Sequence, residues 1–248
     1  YEDNNSATTL KEGSYMITTE KTAFVYGGKT VNNTKIPVTV VYSDDKGENW
    51  TTCELDKIYT ADYYYVKFFD SDNGVIVCGY AKSNDTNESS RIYSTSNGGE
   101  SWDIVGSGPA TNIIKGVVYV SSDVGFFCYD YVEGMDSNLY KTDDGGKTFA
   151  KVMLEEQELD SSAANPQGQE TETKTDSGKN GADSSEQLRW GDVYKEALTP
   201  VVDSTGIITI YLTQGKNAVY NDGKTAAKYQ SSDKGSTWKY IGQVEIKD

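Results

Sequence analysis

SDDKGENW at residues 43–50 returns three times along the chain, as TSNGGESW (95–102), TDDGGKTF (142–149) and SSDKGSTW (231–238). Each copy reads Ser/Thr, any residue, Asp/Asn, any residue, Gly, any residue, Ser/Thr/Asn, aromatic. The fixed positions are Ser43, Asp45, Gly47 and Trp50; Thr95, Asn97, Gly99 and Trp102; Thr142, Asp144, Gly146 and Phe149; and Ser231, Asp233, Gly235 and Trp238. A hairpin turn needs this spacing. The Asp or Asn side chain accepts hydrogen bonds from turn N–H groups, and the Gly supplies the positive φ that closes the turn. The hydroxyl anchors the incoming strand, and the aromatic fills space against a neighbouring sheet. Three of the four Trp residues fall in that slot.

The flanks repeat as well. Three residues after each aromatic stand Cys53, Val105, Val152 and Ile241, an apolar slot on the outgoing strand. Upstream, a turn followed by an apolar strand recurs as FFDSDNGVIVCG (68–79), YVSSDVGFFCY (119–129) and VVDSTGIITIY (201–211), and more loosely as MITTEKTAFVYG (16–27). Each unit therefore holds four strands, two before a variable loop and two joined by the box. The pattern predicts an all-β chain, a small β-propeller of about four blades of four antiparallel strands.

Blades are expected at about 10–56, 57–108, 109–154 and 188–246, after an N-terminal tail at 1–9, in a single propeller spanning 10–248. The third and fourth boxes start 89 residues apart, against 52 and 47 for the earlier intervals, so an insertion lies between them. Residues 155–187 hold nine acidic residues, two Lys and no aromatic. Such a stretch buries too little surface to fold by itself and reads as a long acidic loop.

Composition narrows the function. Lys plus Arg total 23 against 38 Asp plus Glu, a formal charge of −15, which argues against nucleic acid and anionic membrane as partners. No run is apolar enough to enter a bilayer. The absence of His removes His-based triads and His–metal sites. No metal and no cofactor is expected. DSDNG at 70–74 has Gly at its fifth position, where an EF-hand loop needs it at the sixth, and reads as a strand-connecting turn. Cys53, Cys78 and Cys128 fall on strand positions, with Cys78 and Cys128 of opposite parity, and are expected as free thiols rather than a disulfide.

The four boxes resemble the Asp-box, or bacterial neuraminidase, repeat of sialidases, xyloglucan-degrading hydrolases, sortilin-type ectodomains and photosystem II assembly factors. The resemblance covers nearly the whole chain outside the insertion. It implies a propeller with the boxes on the blade periphery, away from the ligand face, so the box residues are structural. A sialidase also needs three Arg on the substrate carboxylate and an Arg-Ile-Pro motif. This chain has only Arg91 and Arg189, and Lys35-Ile36-Pro37 at the nearest match. Lys lacks the bidentate fork, so a standard sialidase is not expected.

The ligand face is expected opposite the boxes, in loops 27–37, 80–90, 129–138 and 212–226 and at the blade junctions. Candidate binding residues are Tyr63, Tyr64, Tyr65, Tyr80, Tyr129, Tyr131, Trp190 and Tyr220, with Tyr59 and Tyr194 in the same cluster. Their flat faces and polar rims suit sugars or a protein hot spot, while alternation along Tyr63-Tyr64-Tyr65 also suits packing. The leading reading is a non-catalytic extracellular module, secreted or at a cell surface and bacterial, that binds a glycan or a protein. The alternatives are a glycoside hydrolase or lyase using Tyr and a carboxylate pair drawn from Asp62, Asp130, Glu133, Asp136 and Glu196, and an assembly scaffold for a protein partner.

Overall fold

The computed structural model of the chain describes residues 10–56, 61–80, 90–109, 113–159, 189–215 and 220–246. Strands dominate. They run β1 (Tyr15–Ile17), β2 (Thr22–Tyr26), β3 (Lys29–Val31), β4 (Thr34–Ile36), β5 (Val38–Ser43) and β6 (Thr51–Asp56), then β7 (Ala61–Phe68), β8 (Gly74–Tyr80), β9 (Ser90–Thr95) and β10 (Asp103–Ser107). They continue as β11 (Ile114–Tyr119), β12 (Gly125–Tyr129), β13 (Leu139–Thr142) and β14 (Ala150–Lys151), then β15 (Glu196–Ala197), β16 (Val201–Val202), β17 (Ile208–Thr213), β18 (Thr225–Ser231) and β19 (Lys239–Glu245). A single turn of helix, α1 (Trp190–Val193), precedes the last group.

These strands form antiparallel meanders in chain order: β1-β2-β5-β6, β7-β8-β9-β10, β11-β12-β13-β14, and β15-β17-β18-β19 with β16 also on β17. The fold is a small β-propeller type, as the repeat predicts. β15 and β16 lie along successive parts of β17 and together make the fourth sheet's first strand, broken where Pro200 has no N–H to give to a ladder. The loop expected at 27–37 is instead a hairpin, β3–β4. Asn32 and Asn33 both take positive φ at its two-residue tip, the conformation that matches strand twist.

All four boxes fold alike. The first hydroxyl donates to the Asp or Asn side chain at 2.7–2.9 Å and accepts the box Gly N–H at 2.8–3.0 Å. The Asp or Asn oxygen then accepts the N–H of Asn49, Ser101, Thr148 or Thr237. Trp50 and Trp102 donate their indole N–H to the carbonyls of Gly47 and Gly99.

Strand alternation gives each sheet two faces, and the second and third sheets use both in stacking. Val25, Val40 and Tyr42 of the first sheet pack on Tyr64, Val66 and Ile76 of the second. Val75, Val77 and Ile92 on the second sheet's other face meet Val117, Tyr119 and Phe127 of the third. Phe126, Cys128 and Leu139 on the third sheet's far face meet Ile208 and Ile210 of the fourth. Cys78 and Cys128 accordingly point into different cores, and all three cysteines are free thiols. Burial pushes the Cys128 thiol up to about 12. Among the described residues, no core cluster joins the fourth sheet to the first.

Candidate ligand-binding cleft

In each meander the box joins the third and fourth strands. The loop between the second and third strands and the passage to the next sheet therefore lie at the opposite end. At that end, the loop after β12, the residues just after β14 and those just before β15 enclose a cleft of about 410 Å³ between the third and fourth sheets. Tyr131, Glu133, Met135 and Asp136 come from the loop, Met153, Leu154 and Glu156 from the strand exit, and Arg189, Trp190, Asp192, Tyr194 and Lys195 from α1 and its flanks.

Asn138 ties the cleft together. Its buried amide donates to the carbonyls of Tyr129 (2.8 Å) and Ala197 (2.9 Å) and accepts the Ala197 N–H (2.8 Å). One side chain thus fixes the loop after β12 to the first strand of the fourth sheet. On the opposite wall, Trp190 packs edge-on against Tyr240 and is tilted against Tyr194. The Tyr194 hydroxyl is hydrogen-bonded to that of Thr225, and Tyr229 donates to the Glu155 carbonyl. These contacts bury Trp190 and Tyr194, so they form the cleft's rigid back wall. Met153 stands open at 64% exposure in a lining shared with the half-buried Tyr131 and Met135.

Three ion pairs stand at the rim. Lys195 reaches Glu133 at 2.7 Å, Lys151 reaches Asp136 at 2.6 Å, and the Arg189 guanidinium reaches Asp192 at 2.9 Å. The hydrogen bond from Lys151 holds the Asp136 carboxyl below its ordinary range, and that from Arg189 does the same for Asp192. A general acid needs the opposite shift. Of the other carboxylates singled out from sequence, Asp130 pairs with Lys115 (2.8 Å), Glu196 sits on β15, and Asp62 lies on the second sheet, outside the cleft, its carboxyl raised by desolvation.

The aromatic candidates part company. Tyr131 and Trp190 line the cleft, together with Tyr194. Tyr63 and Tyr65 turn toward the third sheet, where their hydroxyls accept the N–H groups of Val117 (2.9 Å) and Tyr119 (3.0 Å). Tyr64 turns the other way and donates to the Gly27 carbonyl. Tyr80 and Tyr129 are buried in the cores on either side of the second sheet. Tyr220 is buried behind Tyr194, its loop closed by Gln214, whose amide donates to the Tyr220 carbonyl and accepts its N–H. Tyr59 and residues 160–187 of the acidic stretch lie outside the described residues. In the DSDNG turn, the Asp70 carboxylate accepts from the N–H groups of Asp72 and Asn73 and from the Asn73 amide.

Sequence reasoning passed over Asn138, Met135 and Met153. Asn138 stands at a strand entry, and the partner that gives it meaning lies 59 residues away.

No family model matches the chain, and no curated protein matches it. Among solved structures it is similar to the GH74 enzyme of Niastella koreensis at 15% identity and a TM-score of 0.45, covering 90% of this chain and 28% of that one. It is similar to the Hadza microbial sialidase Hz136 at 15% identity and a TM-score of 0.39, covering 91% of this chain and 42% of that one. It is also similar to YCF48 bound to D1 peptide, at 14% identity and a TM-score of 0.36, covering 92% and 80%. The chain thus spans less than half the length of the first two.

Proposed function

We propose that this chain is a non-catalytic binding module, secreted or at a bacterial cell surface, that seats a glycan or protein ligand in the cleft between its third and fourth sheets. The observation that carries the reading is the cleft: a preformed recess with a rigid aromatic wall, an exposed apolar rim and three ion pairs around it. The rim chemistry favours a protein segment over a sugar. Met135 and Met153 offer adaptable apolar contact with no flat ring to stack on a pyranose, and Tyr131 is the one aromatic there that is not sealed in the wall. The excess of acid over base, −15 for the chain, favours a basic segment.

The test compares the parent with the Tyr131→Ala/Met153→Ser double variant on a glycan array and on a display library of short peptides. Saturable binding that the double variant loses supports the cleft as the seat, and the array that responds names the ligand class. Binding untouched by the double variant, or none on either array, overturns the reading.

A further inference from the structure

Four carboxylates line the cleft, those of Glu133, Asp136, Glu156 and Asp192. Three of them are held: Glu133 by Lys195, Asp136 by Lys151 and Asp192 by Arg189. The two cations of the lining, Arg189 and Lys195, are thus engaged with other acids. Among the described residues, no cation stands at ion-pair distance from Glu156.

Glu156 is exposed, yet its carboxylate lies against α1. A Cβ added to Gly191 would stand 2.5 Å from one carboxylate oxygen and 3.2 Å from the carboxyl carbon. The acid therefore occupies space that any other residue at position 191 would fill. Glu155 and Glu158 are exposed as well but take no part in the lining. A glycine directly after the buried Trp190 thus gives one acid of this short run a place in the cleft.

A carboxylate without a cation on the wall of a recess discriminates between ligands. One that covers it without bringing a positive group desolvates the charge and returns no hydrogen bond. One that brings a carboxylate meets like charge as well. A Lys or Arg side chain answers it with a charge-assisted hydrogen bond. In the same lining, Met135 and Met153 supply polarisable apolar surface that adapts to side chains of different shape.

We infer that Glu156 sets the identity of the ligand: the segment bound in the cleft carries a Lys or Arg whose cationic head seats on the Glu156 carboxylate, next to an apolar side chain held by Met135 and Met153. The inference rests on the cleft being the binding seat. It places selectivity in one local carboxylate, where the overall charge of −15 gives only a general attraction for basic segments.

The test selects a display library of short random peptides on the whole chain, in parallel with Glu156→Gln, Glu156→Lys and Glu158→Gln. Binders of the parent should be enriched in Lys or Arg at one position beside an apolar residue. Glu156→Gln should lose that basic preference and bind the parent's best peptide up to about fivefold more weakly, the scale of one solvent-accessible ion pair. Glu156→Lys should turn the preference to Asp or Glu at the same position. Glu158→Gln removes the same charge outside the lining and should select as the parent does. Circular dichroism and the melting temperature check that all three variants fold. Peptides that the Tyr131→Ala/Met153→Ser double variant no longer binds, but whose basic preference is absent, survives Glu156→Gln or is lost equally in Glu158→Gln, overturn this inference and leave the cleft as the seat. Binding indifferent to the double variant, or no binding at all, overturns both.

Discussion

Gly235 closes the fourth box against the ring of Phe126 in the third sheet, so near that an added Cβ would lie 2.5 Å from the ring edge. The turn and the stacking of sheets are therefore solved by the same atom's absence. Gly47 has an equally positive φ, 91° against 76°, but no neighbouring sheet. Gly235→Ala should cost about 1–3 kcal/mol more than Gly47→Ala, since both pay the backbone strain and only one overpacks a core. Urea unfolding of the two variants measures the difference.

The box carboxylates make stability fall in acid. Hydrogen bonds hold Asp45, Asp144 and Asp233 below the ordinary carboxylate range, chiefly those from the Asn49 N–H, the Thr148 hydroxyl and the Thr237 hydroxyl. A carboxylate depressed in the folded state stabilises it above the unfolded pKa, near 4, and that contribution is lost as pH falls below it. The melting temperature should hold from neutral pH to about 5 and drop below about 4. Asp144→Asn should flatten that drop while keeping the hairpin, because Asn97 does the same work in the second box without titrating.

How much of this was legible in the sequence depends on how far each contact reaches. The boxes were legible in full because every bond within them spans two to four residues, so spacing alone encodes them. Meander order followed, since the repeat counts strands. Topology put the loop after β12 and the approach to β15 at one end, among several loops and junctions expected there, but it did not single out this cleft, whose lining depends on Asn138 and Ala197 meeting across 59 residues. The Tyr63-Tyr64-Tyr65 run shows the limit best. Alternation predicts that the rings diverge, and they do, but nothing local indicates that the hydroxyls bond to chain on both sides.

Lys21 clamps the first two sheets, and its worth should exceed that of its ion pair. The side chain is buried, and its ammonium donates to the carbonyls of Gly98 (2.7 Å) and Ser71 (3.1 Å) and contacts Asp44 at 2.9 Å, above the Phe68 ring. All three donors are used. Lys21→Met should destabilise by about 1–3 kcal/mol, because the charged donor bonds are lost inside the protein. Asp44→Asn should cost under about 1 kcal/mol, the Asp44 carboxylate being largely in solvent. Equal costs in denaturant unfolding would show that the ion pair, and not the carbonyl clamp, does the holding.

Tyr63, Tyr65 and Lys67 lie on one face of β7, at alternate positions, and reach the open edge of β11. The Val117 and Tyr119 N–H groups donate to the two tyrosine hydroxyls, and Lys67 donates to the Tyr119 carbonyl at 2.6 Å. A first strand has no partner on its inner side, and side chains of the sheet before it supply one here. Burial pushes the Tyr65 hydroxyl up to about 12 and Tyr63 higher still, so both are neutral throughout the working range. Tyr63→Phe and Tyr65→Phe should each cost about 1–3 kcal/mol, since each leaves a buried N–H without an acceptor while keeping the ring. The distinguishing readout is amide hydrogen exchange. Exchange at Val117 should accelerate in Tyr63→Phe, and exchange at Tyr119 in Tyr65→Phe, each without the other. If both amides quicken equally in both variants, the loss is general loosening of the core and the hydroxyls do not act as separate acceptors.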